Sequence, residues 1–391
     1  MSTISEIDVI EFDHTVAYRY TESGEPRAGT SHPTRTTRRF AVRVRTSDGI
    51  EGSYVTLWSA PPMAVAQLGA CVKAIVGRPL AHRELFWDQV NRNLAKTDRI
   101  GYGALDIALW DAMGRSSGQP ISALLGQFRE RLPAYVSTVG GGHGIGALAT
   151  PESYRDYADA CARAGIPGYK IHGPGTGKVK DEIAALRGAA EGAAGRSDVM
   201  TDPGKGLPTL ADALALGAAC DDVGAFWWED PLRGDARHAH QILRQRVRTP
   251  LLLTEFVRGL EHRVELAVQG ATDFLRADPE LDMGITGVMK TAHAAEALGI
   301  DMEVHASGPA QRHCMAAIRN TSYYELGLLD PASGNPLHPP VYADDDYVED
   351  ITAVGDDGCV AVPTGPGLGV TYDWERILSS NADVRVYRAD V

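Results

Sequence analysis

The chain has 391 residues, 44% of them hydrophobic and 23% charged, with a formal net charge of −13. That length suits two domains or one large barrel with additions, and the composition supplies a substantial core. The acidity argues against a nucleic-acid partner, which needs a basic surface, but leaves room for a small anionic substrate held by local lysines or a metal.

The amino-terminal "MSTISEIDVIEF" is acidic and has no signal-peptide pattern. No apolar run approaches the roughly 18 residues of a membrane span, so no membrane partner is expected and the location expected is cytoplasmic. Residues 4 to about 56 alternate apolar and polar side chains in "IDVIEFD" and "RRFAVRVRTSDGIEGSYV", with Asp-Gly as a hairpin signal. Between these strands lies "YRYTESGEPRAGTSHPTRTT", long enough to predict a lid or binding loop; Tyr20, Arg27, His32 and Arg35 give it a polar character suited to a hydroxylated ligand. From 62 to about 127 the pattern is helical, ending in "GALDIALWDAMGRSSGQP".

From Ala134 onward, short apolar segments alternate with alanine-rich amphipathic stretches. The expected strands are "AYVST", "GYKIHG", "DVMTDPG", "AFWWEDP", "LLLTEF", "TDFLRADP", "DMEVHAS" and "SYYELG". Eight strands alternating with helices predict an α/β barrel of the TIM type. A doubly wound sheet is the rival, but no GxGxxG follows the first strand. Five scattered cysteines without a CxxC pair fit free thiols in a reducing compartment.

In such a barrel the carboxyl ends of the strands face one mouth. The polar residues there are Lys170 and His172, Asp202, Glu229, Glu255, Asp278, His305 and Glu325, recurring at intervals of about 20 to 32 residues, the length of one βα unit. Asp202, Glu229 and Glu255 on successive strands would repel one another unless a hard divalent cation joined them; an all-oxygen set suits Mg2+ better than zinc. The competing reading is that single acids pair with arginines or cap helices. Lys170 and His172, two apart, point the same way. Asp278 is placed to orient and charge the His305 imidazole, which otherwise reads as a core histidine. A lysine among cations can have its pKa lowered and act as a base. A metal flanked by two bases fits removal of the proton α to a carboxylate, and a protonated Glu325 would donate to the other carboxylate oxygen, unless it is merely a solvent-facing acid.

With these residues in place the sequence resembles the enolase superfamily, in its mandelate racemase subgroup, over almost the whole chain. The resemblance implies an α+β capping domain (1–130), a modified (β/α)7β barrel (131–365) and a segment returning to the cap (366–391). It implies Mg2+ on Asp202, Glu229 and Glu255, a Lys-x-base motif at "KIH", an Asp278–His305 dyad, an electrophilic Glu325 and a homo-oligomer. Two departures stand out: "TDPGKG" where "DAN" is common, which makes Lys205 a candidate substrate contact with Tyr20 and His32, and His172 where a lysine or arginine is usual. Within that resemblance, Lys170 is expected as the primary base with His172 tuning it. The expected reaction is dehydration of an acid sugar to a 2-keto-3-deoxy acid. Cycloisomerisation of an acid-sugar lactone, racemisation or epimerisation would use the same residues, and a catalytically retired metal-dependent binding protein is the alternative from another class.

Overall fold

The computed structural model describes residues 2–17, 34–58, 61–140, 148–331, 341–343 and 347–389. Strands β1 (Ile4–Ala17) and β2 (Thr34–Thr46) run antiparallel along their whole length, and an Asp48-Gly49 turn leads to β3 (Glu51–Val55). Gly49 has φ 82°, the left-handed conformation this turn requires. Helices α1 (Pro61–Ile75), α2 (Arg83–Asn93), α3 (Gly103–Ser117) and the short α4 (Ile121–Leu124) follow.

Helix α3 is buried almost all round because it lies between the cap sheet and the barrel: residues 103 to 112 are all buried. It touches both sides at backbone distance. A Cβ on Gly52 of β3 would fall 2.2 Å from the Ala112 nitrogen, and one on Gly103 would fall 2.0 Å from the Glu280 carbonyl oxygen. Any side chain at either position would push the two layers apart.

The barrel strands are β4 (Arg131–Thr138), β5 (Gly168–His172), β6 (Asp198–Asp202), β7 (Trp228–Glu229), β8 (Leu251–Leu253), β9 (Phe274–Ala277), β10 (Asp301–Val304) and β11 (Tyr324–Leu329). All are parallel, in the order β10-β9-β8-β7-β6-β5-β4-β11. Helices α5 (Pro151–Arg163), α6 (Val179–Ala193), α7 (Leu210–Val223), α8 (Arg237–Arg246), α9 (Leu260–Val268), α10 (Gly284–Leu298) and α11 (Pro309–Ala317) follow the first seven strands in turn. Among the described residues no α-helix lies between the eighth strand and the chain's return to β4, which gives the barrel a (β/α)7β pattern.

Between β10 and β11 the regular ladder gives way: the Glu303 side chain accepts from the Ser322 and Tyr323 amides at 3.0 and 3.2 Å, and the Met302 backbone amide donates to the Asn320 carbonyl. The interior is plugged by Tyr135, Met200, Trp227 and Leu252, with Tyr135 meeting Trp227 edge-on at 5.5 Å. After β11 the chain adds β12 (Cys359–Ala361) antiparallel to β4, then α12 (Trp374–Ser379), and β13 (Asp383–Arg388) pairs with β1. Among the described residues no helix is long and apolar enough to cross a membrane.

Candidate active site

Strand alternation stacks the interior side chains in levels two residues apart. Above the aromatic plug come two buried cations. Lys170 Nζ lies 5.5 Å from the Tyr135 ring centroid, and the Arg276 guanidinium donates to the Tyr135 hydroxyl at 3.1 Å. Above them are the acids. Lys170 Nζ is 2.7 Å from Glu229, 3.0 Å from Glu325 and 3.6 Å from Asp202. Arg276 Nε is 2.8 Å from Glu229 and its terminal nitrogen is hydrogen-bonded to Glu325.

One oxygen from each of Asp202, Glu229 and Glu255 lies within 4.8 Å of the others. Asp202 and Glu229 are buried, and next to them the buried Asp230 has no hydrogen-bond partner for either carboxylate oxygen among the described residues. Burial, together with Asp202 and Glu255, pushes Glu229 up to about 7 despite Arg276 and Lys170. Asp230 is held well above the usual carboxylate range by burial and by Glu255, Glu229 and Asp202. The negative charge here exceeds what the two cations offset, and the donors are all hard oxygens. Asp202, Glu229 and Glu255 therefore fit a hard divalent cation.

Above the acids opens a cavity of about 350 Å3, walled by His172, His305, Trp58, Phe256, Leu281 and Leu328, with Asp202, Glu255 and Glu325 toward its floor. His305 Nδ1 lies 2.6 Å from Asp278 Oδ2. Burial opposes the imidazolium, but Glu255 and Asp278 outweigh it and raise His305 to about 9. His172 Nδ1 donates to the Thr138 carbonyl at 2.8 Å, which leaves Nε2 facing Asp202 at 3.1 Å. A second cavity of about 380 Å3 lies elsewhere, beside Tyr347 and Val362, and its Arg312 is taken by Glu349 at 3.2 Å.

Two expectations from the sequence meet a different geometry. A lowered Lys170 pKa was expected; burial does oppose its charge, but Glu229 and Glu325 hold it well above the ordinary lysine value. Its side chain is 1% exposed, whereas that of His172 is 24% exposed and lines the cavity. A protonated Glu325 was also expected; burial favours that form, but Arg276 and Lys170 outweigh it and keep the carboxyl well below its usual range. Lys205 is exposed at the rim, its ammonium 3.7 Å from the centroid of Phe256. Tyr20, Arg27 and His32 lie outside the described residues, as does the side chain of Arg35. Sequence reasoning did not assign Arg276 or Trp58 to the site. Arg276 had a usable signal, standing two residues before Asp278 and therefore on the same inward face.

Fold and cavity together define a capped-barrel enzyme of the enolase type. The profile described as "Enolase C-terminal domain-like" matches residues 153–376, and that of the "Mandelate racemase / muconate lactonizing enzyme, N-terminal domain" matches 15–126. The D-glucarate dehydratase from Agrobacterium tumefaciens, solved with magnesium, superposes with a TM-score of 0.82 at 30% identity, over 97% of this chain and 98% of that one. The arabinonate dehydratase of Saccharolobus solfataricus is 24% identical over 74% of this chain and 75% of its own. The D-galactarolactone cycloisomerase of Agrobacterium fabrum is 26% identical over 84% and 87%. The chain belongs to the mandelate racemase subgroup of the enolase superfamily and is an enzyme.

Proposed function

We propose that this enzyme uses Mg2+, held by Asp202, Glu229 and Glu255, to remove the proton α to the carboxylate of an acid sugar and then expel the C3 hydroxyl, giving a 2-keto-3-deoxy acid. The observation that carries this reading is one arrangement: Asp202, Glu229 and Glu255 bring carboxylate oxygens within 4.8 Å of one another, and Asp202 and Glu255 reach from that cluster into the cavity walled by the imidazoles of His172 and His305. When bound, Mg2+ would neutralise the Asp202 carboxylate that faces His172 Nε2 and stabilise charge building on the substrate carboxylate.

The chain's own groups then divide the work. His172 Nε2 accepts the α-proton, because its Nδ1 is committed to Thr138 and its ring faces the cavity. His305, held through Nδ1 by the Asp278 carboxylate at 2.6 Å, donates a proton to the departing hydroxyl, which is otherwise a poor leaving group. Lys170 is the fixed cation of the floor rather than the base, since it is buried and ion-paired. Glu325 keeps that cation and Arg276 in place.

The dehydratase relatives support elimination. The cycloisomerase relative supports a second reading, in which the same α-proton chemistry isomerises an acid-sugar lactone. A panel of acid sugars and lactones, read with a keto-acid reagent and by proton NMR in D2O, separates the two. Elimination produces a keto acid with Mg2+ and none after chelation; cycloisomerisation produces an isomer and no keto acid. If neither product forms and no α-proton exchanges, the proposed chemistry is wrong.

A further inference from the structure

The cap reaches the barrel mouth through Trp58, and one barrel residue fixes where it sits. Glu280 lies in the loop after β9, two residues beyond Asp278, and is fully buried. Its Oε1 accepts from the Leu57 amide at 2.6 Å and the Tyr54 hydroxyl at 2.8 Å; its Oε2 accepts from the Trp58 amide at 2.8 Å. Arg39 of β2 donates to the Leu57 carbonyl and closes the same turn from the cap side. The Glu280 amide donates to Asp278 Oδ1, the other oxygen of the carboxylate that holds His305. The Trp58 ring meets the His305 ring edge-on, with centroids 5.5 Å apart and planes at 62°. Glu280 cannot back away, because α3 packs on its carbonyl at the Gly103 position.

We propose that Glu280 is a positioning residue: it sets Trp58 as the cavity wall beside the His305–Asp278 pair, so that the cap's contribution to substrate fit is fixed from the barrel. Three donors converge on two carboxylate oxygens, and no isostere reproduces this. A glutamine would turn an NH2 toward one of the donors, leaving a buried amide unsatisfied. Other contacts across the same seam hold the domains together without touching Trp58. Asp106, which accepts from the Thr286 amide at 3.0 Å and its hydroxyl at 2.9 Å, is one, and it serves as the control.

The kinetic part of the test rests on the function proposed above; the optical part does not. Acrylamide quenching of Trp58 is isolated as the difference between each protein and the same protein carrying Trp58→Phe. In Glu280→Gln, Trp58 becomes several-fold more quenchable with the far-UV circular dichroism retained, whereas Asp106→Asn lowers the melting temperature without exposing Trp58. On the acid sugar that the wild type converts, Glu280→Gln raises KM about tenfold with a smaller loss in kcat. The double variant Glu280→Gln/Trp58→Ala is then no worse than Trp58→Ala alone. Unchanged quenching in Glu280→Gln overturns the proposal, as do additive losses in the double variant or an Asp106→Asn effect indistinguishable from that of Glu280→Gln. Should no acid sugar be converted, the function proposed above fails and the quenching result alone decides this one.

Discussion

Two groups of buried acids in this molecule are treated in different ways. At the cap–barrel seam each carboxylate meets donors. Asp111 accepts from the Ser53 and Leu368 amides, both at 2.8 Å, and from Arg115 at 2.9 Å; Asp106 and Glu280 are served similarly. In the barrel mouth Asp202, Glu229 and Glu255 face one another. The imidazoles follow the same division. In the seam, His313 accepts at Nδ1 from the Ser122 amide and donates at Nε2 to the Leu368 carbonyl, and it is neutral, whereas His305 in the mouth is charged. The seam acids are matched by donors, whereas the mouth acids stay crowded even with Lys170 and Arg276 against Glu229, which is the arrangement the proposed Mg2+ would relieve.

The largest effect that tests this contrast is at Glu229. Glu229→Gln should lower turnover by about three orders of magnitude and weaken Mg2+ binding by calorimetry. Wild-type Mg2+ affinity in that variant would remove the metal assignment. Next, Lys170→Met and His172→Gln should differ in kind. Removing the buried ammonium strips Glu229 and Glu325 of a partner and should cost about 3–5 kcal/mol of stability in a denaturant titration, besides activity. His172→Gln should abolish turnover with its unfolding midpoint nearly unchanged. Equal stability losses would mean that His172 belongs to the floor as well.

The seam gives a smaller effect, in the acid range. Burial lowers His313 to about 4 against an ordinary 6.5, so below pH 6.5 the unfolded chain takes up a proton that the native chain refuses. The His313 contribution should be flat above 6.5 and fall by up to about 3 kcal/mol between 6.5 and 4, and His313→Gln should flatten that limb. His305 runs the other way: raised to about 9, it contributes stability present below 6.5 and lost as pH rises through 9. The smallest effect is at the rim, where Lys205→Met removes an exposed cation–π contact worth about 0.5–1 kcal/mol and should change KM by no more than about threefold. A large loss of kcat there would make Lys205 part of the machinery.

Much of the mouth was legible in the sequence because strand-end residues recur with the βα unit, so Asp202, Glu229, Glu255 and the Asp278–His305 pair could be placed before any coordinates. Depth within the barrel was not legible. Lys170 and His172 share one face, and alternation does not say which is under the acids and which is in the cavity; the two-residue rise along β5 decides it. Arg276 stood in "FLRADP" as an arginine in an otherwise apolar strand, its role visible only once Glu229 and Glu325 closed on it from other strands. Trp58 carried no pattern, since its place depends on Glu280, 222 residues away in the chain. The all-round burial of α3 likewise reflects two partners that local periodicity does not name.

The pairing of β13 with β1 also bears on biosynthesis. Glu6 faces Arg388 across that ladder, so the cap sheet joins a segment that precedes the barrel to one that follows it. On a ribosome β1 emerges early and acquires this neighbour only after residue 388 has left the tunnel, when every strand of the barrel is already outside. The cavity can therefore form while its cap is still short of a strand. The same adjacency sets residue 6 beside residue 388, so a circular permutant that joins β13 to β1 by a short linker and is opened at an exposed loop between barrel elements would keep every strand pair of the cap.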